Sequence, residues 1–94
     1  MMDTLPGDYL SRNINALIEE IEGVIEVEDI RGHRFGPYLV LNVTIGVDGR
    51  LSVSEGDAIA TRVEKTLRQR IDYMRDVHVH YHPAASTNTT FSIS

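Results

Sequence analysis

Residues 38 to 47 read Tyr-Leu-Val-Leu-Asn-Val-Thr-Ile-Gly-Val, and Leu39, Leu41, Val43, Ile45 and Val47 share one parity while Tyr38, Val40, Asn42 and Thr44 share the other. Successive side chains of a strand point to opposite faces, so this spacing predicts a half-buried strand with one continuously aliphatic face. The flanks must supply its cover. On the C-terminal side, Asp48-Gly49 provides a turn, and Ser52 with Glu55 three residues later forms a capping-box signature that opens a helix. Ile59, Val63, Leu67 and Ile71 follow as its inward stripe. Residues 76 to 82 alternate strictly, with Val77, Val79 and Tyr81 on one face and His78, His80 and His82 on the other, until Pro83 ends the run. On the N-terminal side, Phe35-Gly36-Pro37 is a break before VIEVEDIRGHR, residues 24 to 34, which is rich in β-branched residues but alternates less cleanly. Leu10, Ile14, Leu17, Ile18 and Ile21 fall at helical spacing, with Gly23 as a stop. The order α-β-β-α-β predicts an α+β domain with two helices on one face of a three-stranded sheet.

Composition narrows the possible functions. Ninety-four residues suit one core, and 41% apolar with 24% charged residues is too hydrophobic a mixture for intrinsic disorder. No uninterrupted apolar run reaches the roughly 18 residues that a membrane-crossing helix needs, and MMDTLPGDYL lacks the regions of a secretory signal. The expectation is a soluble chain. The absence of cysteine excludes disulfides and thiolate metal sites. A net charge of -5, with Glu19, Glu20, Glu22, Glu26, Glu28 and Asp29 crowded into the first third, argues against nucleic acid as a partner. The basic run from Arg62 to Arg70 interleaves with Glu64 and Asp72 and reads as a solvated helix face. No P-loop and no nucleophile, base and acid arrangement is visible, so no enzymatic activity is expected.

The histidines carry what chemistry the sequence offers. Residues i and i+2 of a strand lie on one face about 7 Å apart, so the imidazoles of His80 and His82 can converge on one metal ion. The bland alternative is three polar residues on the wet face of a sheet. His33, in RGHRFG beside a turn, reads as a surface residue. Further oxygen donors are available at Asp57, placed in the first turn of the second helix, and at Asn42 and Glu28 on the strands. An acid in a first helical turn is also favoured by the helix dipole without any metal. Imidazole must be neutral to ligate, so metal affinity should decline as the pH drops through about 6.5.

Taken together, Gly23-Val24, Glu28-Asp29-Ile30-Arg31, Gly36, YLVLNVTIGVD, LSVSEGDAIATRVE and DVHVHYHP resemble the cytoplasmic domain of the cation diffusion facilitators along most of residues 10 to 83. Met2-Asp3 resembles the segment where that family's last membrane helix ends. The resemblance implies a metallochaperone-like fold, a ferredoxin-like variant, and a V-shaped homodimer beneath a membrane whose arms are drawn together by metal. It also implies a transmembrane domain as partner and a divalent cation as ligand, zinc first, with iron or manganese as alternatives. The family's closing-strand ligand falls on His80 and the ligand two residues later, often Asp, on His82. The helix ligand, often His, falls on Asp57, the second-strand ligand on Asn42, and the first-strand ligand on Glu28. Only His80 matches by type, and the departures move the donor set toward oxygen. On this view residues 1 to 9 are a linker, 10 to 83 the dimerisation and metal-sensing domain, and 84 to 94 a flexible tail. Two other readings are a structural dimerisation module without metal control and a free-standing metallochaperone or small metal-dependent enzyme.

Overall fold

The aliphatic parity of residues 38 to 47 is buried as its spacing predicts, with Leu41, Val43 and Ile45 fully covered and Leu39 and Val47 nearly so. In the computed structural model, which describes residues 7 to 84, this run is β2 (Tyr38–Val47), the centre of a three-stranded sheet. It is flanked by β1 (Glu26–Phe35), antiparallel, and β3 (Met74–Pro83), parallel. A parallel pair needs a long crossover, and α2 (Val53–Arg70) supplies it. With α1 (Gly7–Glu19) the order is α-β-β-α-β. Ile14 and Ile18 from α1, and Ile59, Val63 and Leu67 from α2, complete one core against the sheet. Each such side chain removed from water contributes about 1.5–3 kcal/mol before conformational entropy is counted.

Local chemistry explains where the elements stop. The Ser52 hydroxyl accepts from the Glu55 amide at 3.1 Å while the Glu55 carboxylate accepts from the Ser52 amide at 2.9 Å, so the capping box closes in both directions. α1 ends at Glu19, before Ile21, whose amide instead donates to Ile18 O at 3.0 Å and keeps the Ile21 side chain in the core. The Arg62 guanidinium donates to the Glu22 carbonyl at 2.9 Å, tying α2 to the turn after α1. Arg68 pairs with Glu64 at 3.2 Å and reaches Asp76 at 3.5 Å, so the basic run does form a solvated helix face.

Several boundaries differ from the sequence reading. The irregular alternation of residues 24 to 34 has a single cause: Val27 pairs with Ile45 and Asp29 with Thr44, leaving Glu28 as an extra residue in the ladder. Before it, Val27 faces the core; after it, Ile30 and Gly32 do, and Asp29, Arg31 and His33 share the other face. Helix α2 begins at Val53, so Asp57 lies one turn further in than its sequence context indicated, and the acid of the first turn is Glu55. The first helix starts at Gly7, within the stretch expected to be linker. Ala84, expected to open the tail, is fully buried and donates its amide to Val47 O at 2.8 Å. Residues 1 to 6 and 85 to 94, which hold the rest of both segments, lie outside the described residues.

Candidate metal centre

Both helices cover one face of the sheet, and the other face carries the candidate donors. Across the three strands this open face is laid out in rows: Asp76, Val40 and His33; His78, Asn42 and Arg31; His80, Thr44 and Asp29; His82, Gly46 and Glu26. The last row is the one where donors meet. His82 Nε2 lies 2.8 Å from Glu28 Oε1, with the two side chains 49% and 25% exposed.

Two irregularities make this contact possible. The extra residue in β1 re-aims Glu28 toward the open face, as bulges commonly do near functional sites. Gly46 leaves the middle of the row without a side chain: a Cβ there would lie 2.9 Å from both Ala84 Cα and Glu26 Cγ. A glycine inside an otherwise aliphatic strand signals such close backbone approach, and this position is one that sequence reasoning passed over.

The ring of His82 is held at both nitrogens, since Nδ1 lies 3.0 Å from the Pro83 carbonyl oxygen. Both acceptors receive a hydrogen together only from a protonated imidazole. In a neutral ring with its hydrogen on Nδ1, that carbonyl fixes the tautomer and Nε2 presents a lone pair toward the Glu28 side, the arrangement a metal ion takes.

The other candidates stand apart from this pair. His80 is one row along, beside Thr44, and Asn42 is another row along, beside His78 rather than His80. Asp57 is exposed on α2, next to Gly56, whose absent Cβ makes room for the Tyr81 ring; that ring faces the helices, and its hydroxyl donates to Val53 O at 3.3 Å. Among the described residues no three His, Asp or Glu side chains converge closely enough to hold an ion. The donors present are of the right kind for a divalent cation, imidazole nitrogen and carboxylate oxygen, but one copy brings only two of them together.

The two helices and three strands form an α+β domain with imidazoles and carboxylates on its uncovered face. Residues 6–84 match the ZT_dimer family, described as cation efflux protein, cytoplasmic domain, and the chain belongs to that family. It is 34% identical over 80 residues to the magnetosome protein MamB of Magnetospira sp. (strain QH-2), covering 84% of this chain and 27% of MamB. It is 32% identical over 68 residues to the manganese efflux system protein MneS of Bacillus subtilis (strain 168), covering 70% of this chain and 22% of MneS. The chain thus spans about a quarter of the length of these curated relatives. A manganese form of a variant MamM C-terminal domain superposes with a TM-score of 0.78 at 22% identity, covering 82% of this chain and 98% of that one. A nickel form of another variant reaches 0.79 at 23% identity, covering 83% and 99%. At these identities the structures establish the fold, and they bear out the metallochaperone-like arrangement. The family is one of metal-transporter domains rather than a class of enzymes. No helix among the described residues is long and apolar enough to cross a membrane.

Proposed function

We propose that this chain is the regulatory domain of a divalent-cation efflux transporter, and that it homodimerises and binds its ion on the uncovered face of the sheet. The observation that carries this reading is the Glu28 and His82 pair, 2.8 Å apart over Gly46. Two donors do not saturate a divalent cation, so the remaining coordination falls to His80 after a small shift along β3, to Asp57 and Asn42, to water, or to a second copy. Metal that binds the paired, closed arrangement more tightly than the open one shifts the population toward it, which is how such a domain would report cation load to a transmembrane partner. Membership of the family and the shared fold support this reading; transport itself would belong to the membrane part.

The donor set favours an ion content with both nitrogen and oxygen ligands. Imidazole suits zinc and iron, whereas Glu28 and Asn42 move the preference toward manganese. The test is calorimetric titration of the chain with zinc, manganese and ferrous iron. Binding that falls at least about tenfold in His80→Ala and His82→Ala supports the assignment, and unchanged binding in both overturns it. Affinity should weaken on acidification, and a flat response between pH 7.5 and 5.5 would argue against imidazole ligands.

A second reading has an observation of its own. Because no more than two donors converge among the described residues, and an amide, Asn42, stands where the family resemblance implies a ligand, the domain can serve as a dimerisation module without metal control. Dimerisation with the same dissociation constant in the presence and absence of all three ions would favour it.

A further inference from the structure

At Ala84 the chain turns off the line of β3 and onto the open face of the sheet. Gly46 pairs with His82 and Val47 with Pro83, so a straight continuation would set Ala84 opposite Asp48. It lies instead against Gly46: a Cβ there would be 2.9 Å from Ala84 Cα and 3.0 Å from Ala84 Cβ. The Ala84 amide donates to Val47 O at 2.8 Å, and the residue is fully buried although it follows an edge strand. Gly46 has the open-face parity of β2, so the chain folds over that face in the row of Glu26 and His82. From this point a trough runs along β2 toward the Gly36-Pro37 turn. Its floor is the short, half-buried side chains of Thr44, Asn42 and Val40. The histidines of β3 form one wall, and Asp29 with Arg31, paired at 2.9 Å, the other.

We propose that residues 85 to 94 lie along this trough as a strap over the donors, with the Phe91 ring seated on Val40. The proposal rests on the reading of this face as the ion-binding one and adds what competes for it. The first argument is reach. Val40 is six residues along β2 from Gly46, about 20 Å at the rise of a strand. Phe91 is seven residues beyond Ala84, up to about 23–25 Å when extended. The second argument is chemistry. Residues 85 to 94 read Ala-Ser-Thr-Asn-Thr-Thr-Phe-Ser-Ile-Ser, with hydroxyls and an amide but no ionisable side chain. They can hydrogen-bond to imidazole and carboxylate walls without opposing the acidic end formed by Glu26, Glu28 and Asp29. Phe91 and Ile93 are the large apolar side chains of the segment, and Val40 is the apolar position on the floor. The third argument is competition. Without His, Asp or Glu, the strap covers the Glu28 and His82 pair and offers no strong ligand in exchange. An ion and the strap therefore exclude one another. Ordering ten residues on one aromatic anchor leaves the cover weak enough for an ion to lift.

The test uses the 94-residue chain, which has neither tryptophan nor cysteine. In metal-free Phe91→Trp the emission should lie to the blue of a water-exposed indole, and saturating manganese should move it to the red. Emission of a water-exposed indole without metal would overturn the strap. Val40→Cys with Phe91→Cys should close a disulfide within one chain on mild oxidation, and Lys65→Cys on α2 with Phe91→Cys should not. A bridge formed between chains instead, or equal yields from both pairs, would count against it. Full-length Phe91→Ser with Ile93→Ser should keep its circular dichroism spectrum and bind manganese about fivefold more tightly, because the wild type is competent to bind only while the strap is lifted. Equal affinity in the two chains removes the strap and leaves the ion-binding reading standing. If neither binds manganese while the blue emission and the intramolecular disulfide are both found, the strap stands and the ion-binding reading falls.

Discussion

The two faces of β3 are written into the same ten residues and obey different rules. Val77, Val79 and Tyr81 turn to the helices, where burial and close packing specify them, down to the Gly56 backbone that leaves room for the Tyr81 ring. His78 and His80 turn outward and are exposed, so the folded monomer places little demand on their identity. What the contrast teaches is that the open face is where sequence can change without loss of the fold, and so where a ligand or partner can select residues. A protein interior, by comparison, registers the loss of a single methylene.

This contrast can be attacked from its strongest side first. Leu41→Ala, on the covered face of β2 and fully buried, should lower unfolding free energy by about 2–5 kcal/mol in urea titration. Thr44→Ala on the open face of the same strand should change it by less than about 0.5 kcal/mol. Equal losses would dissolve the distinction. Gly46→Ala sharpens it, because that position lies on the open face yet meets backbone at 2.9 Å. It should cost about 1–3 kcal/mol by overpacking and should weaken metal binding as well, because Ala84 or Glu26 must shift. His82→Ala should leave stability within about 0.5 kcal/mol while reducing metal affinity, and a large fall in melting temperature would mean that the His82 contact with Glu28 is structural. The smallest effect belongs to Asp48 and Arg50, beyond the end of β2. Hydrogen bonds from Arg50 hold the Asp48 carboxyl below its ordinary range. A depressed carboxyl contributes stability above its unfolded value and loses it as pH falls through the folded one. With the guanidinium 90% exposed, Arg50→Ala should differ from wild type only slightly at pH 7, and the two should converge in acid.

The covered face was legible because burial leaves a periodic trace. The parity of residues 38 to 47, the Ser52 and Glu55 box and the stripe through Ile59, Val63 and Leu67 each have a local physical cause, and each is found in place. The open face was legible only in part. The alternation of His78, His80 and His82 placed them correctly on one side, but the partner of His82 is set by register and by an extra residue in β1. Val27-Glu28-Asp29-Ile30 contains the clue, two polar residues between apolar ones where strict alternation allows one. Asp57 was misplaced by one turn because the cap residue was recognised but the helix was not counted from it.

The extra residue in β1 behaves like a dislocation in a crystal. On one side of it the strand is in one phase, on the other side in the opposite phase, and Glu28 is the core of the defect. The carboxylate's address on the sheet is therefore not fixed by its own position along the chain but by where the phase slips. Moving the slip two residues toward the hairpin would carry the carboxylate from the row of His82 to the row of His80, and would at the same time turn Asp29 inward opposite the buried Val43 in place of Ile30. An engineer who wishes to relocate this carboxylate would move the fault line and give residue 29 an apolar side chain.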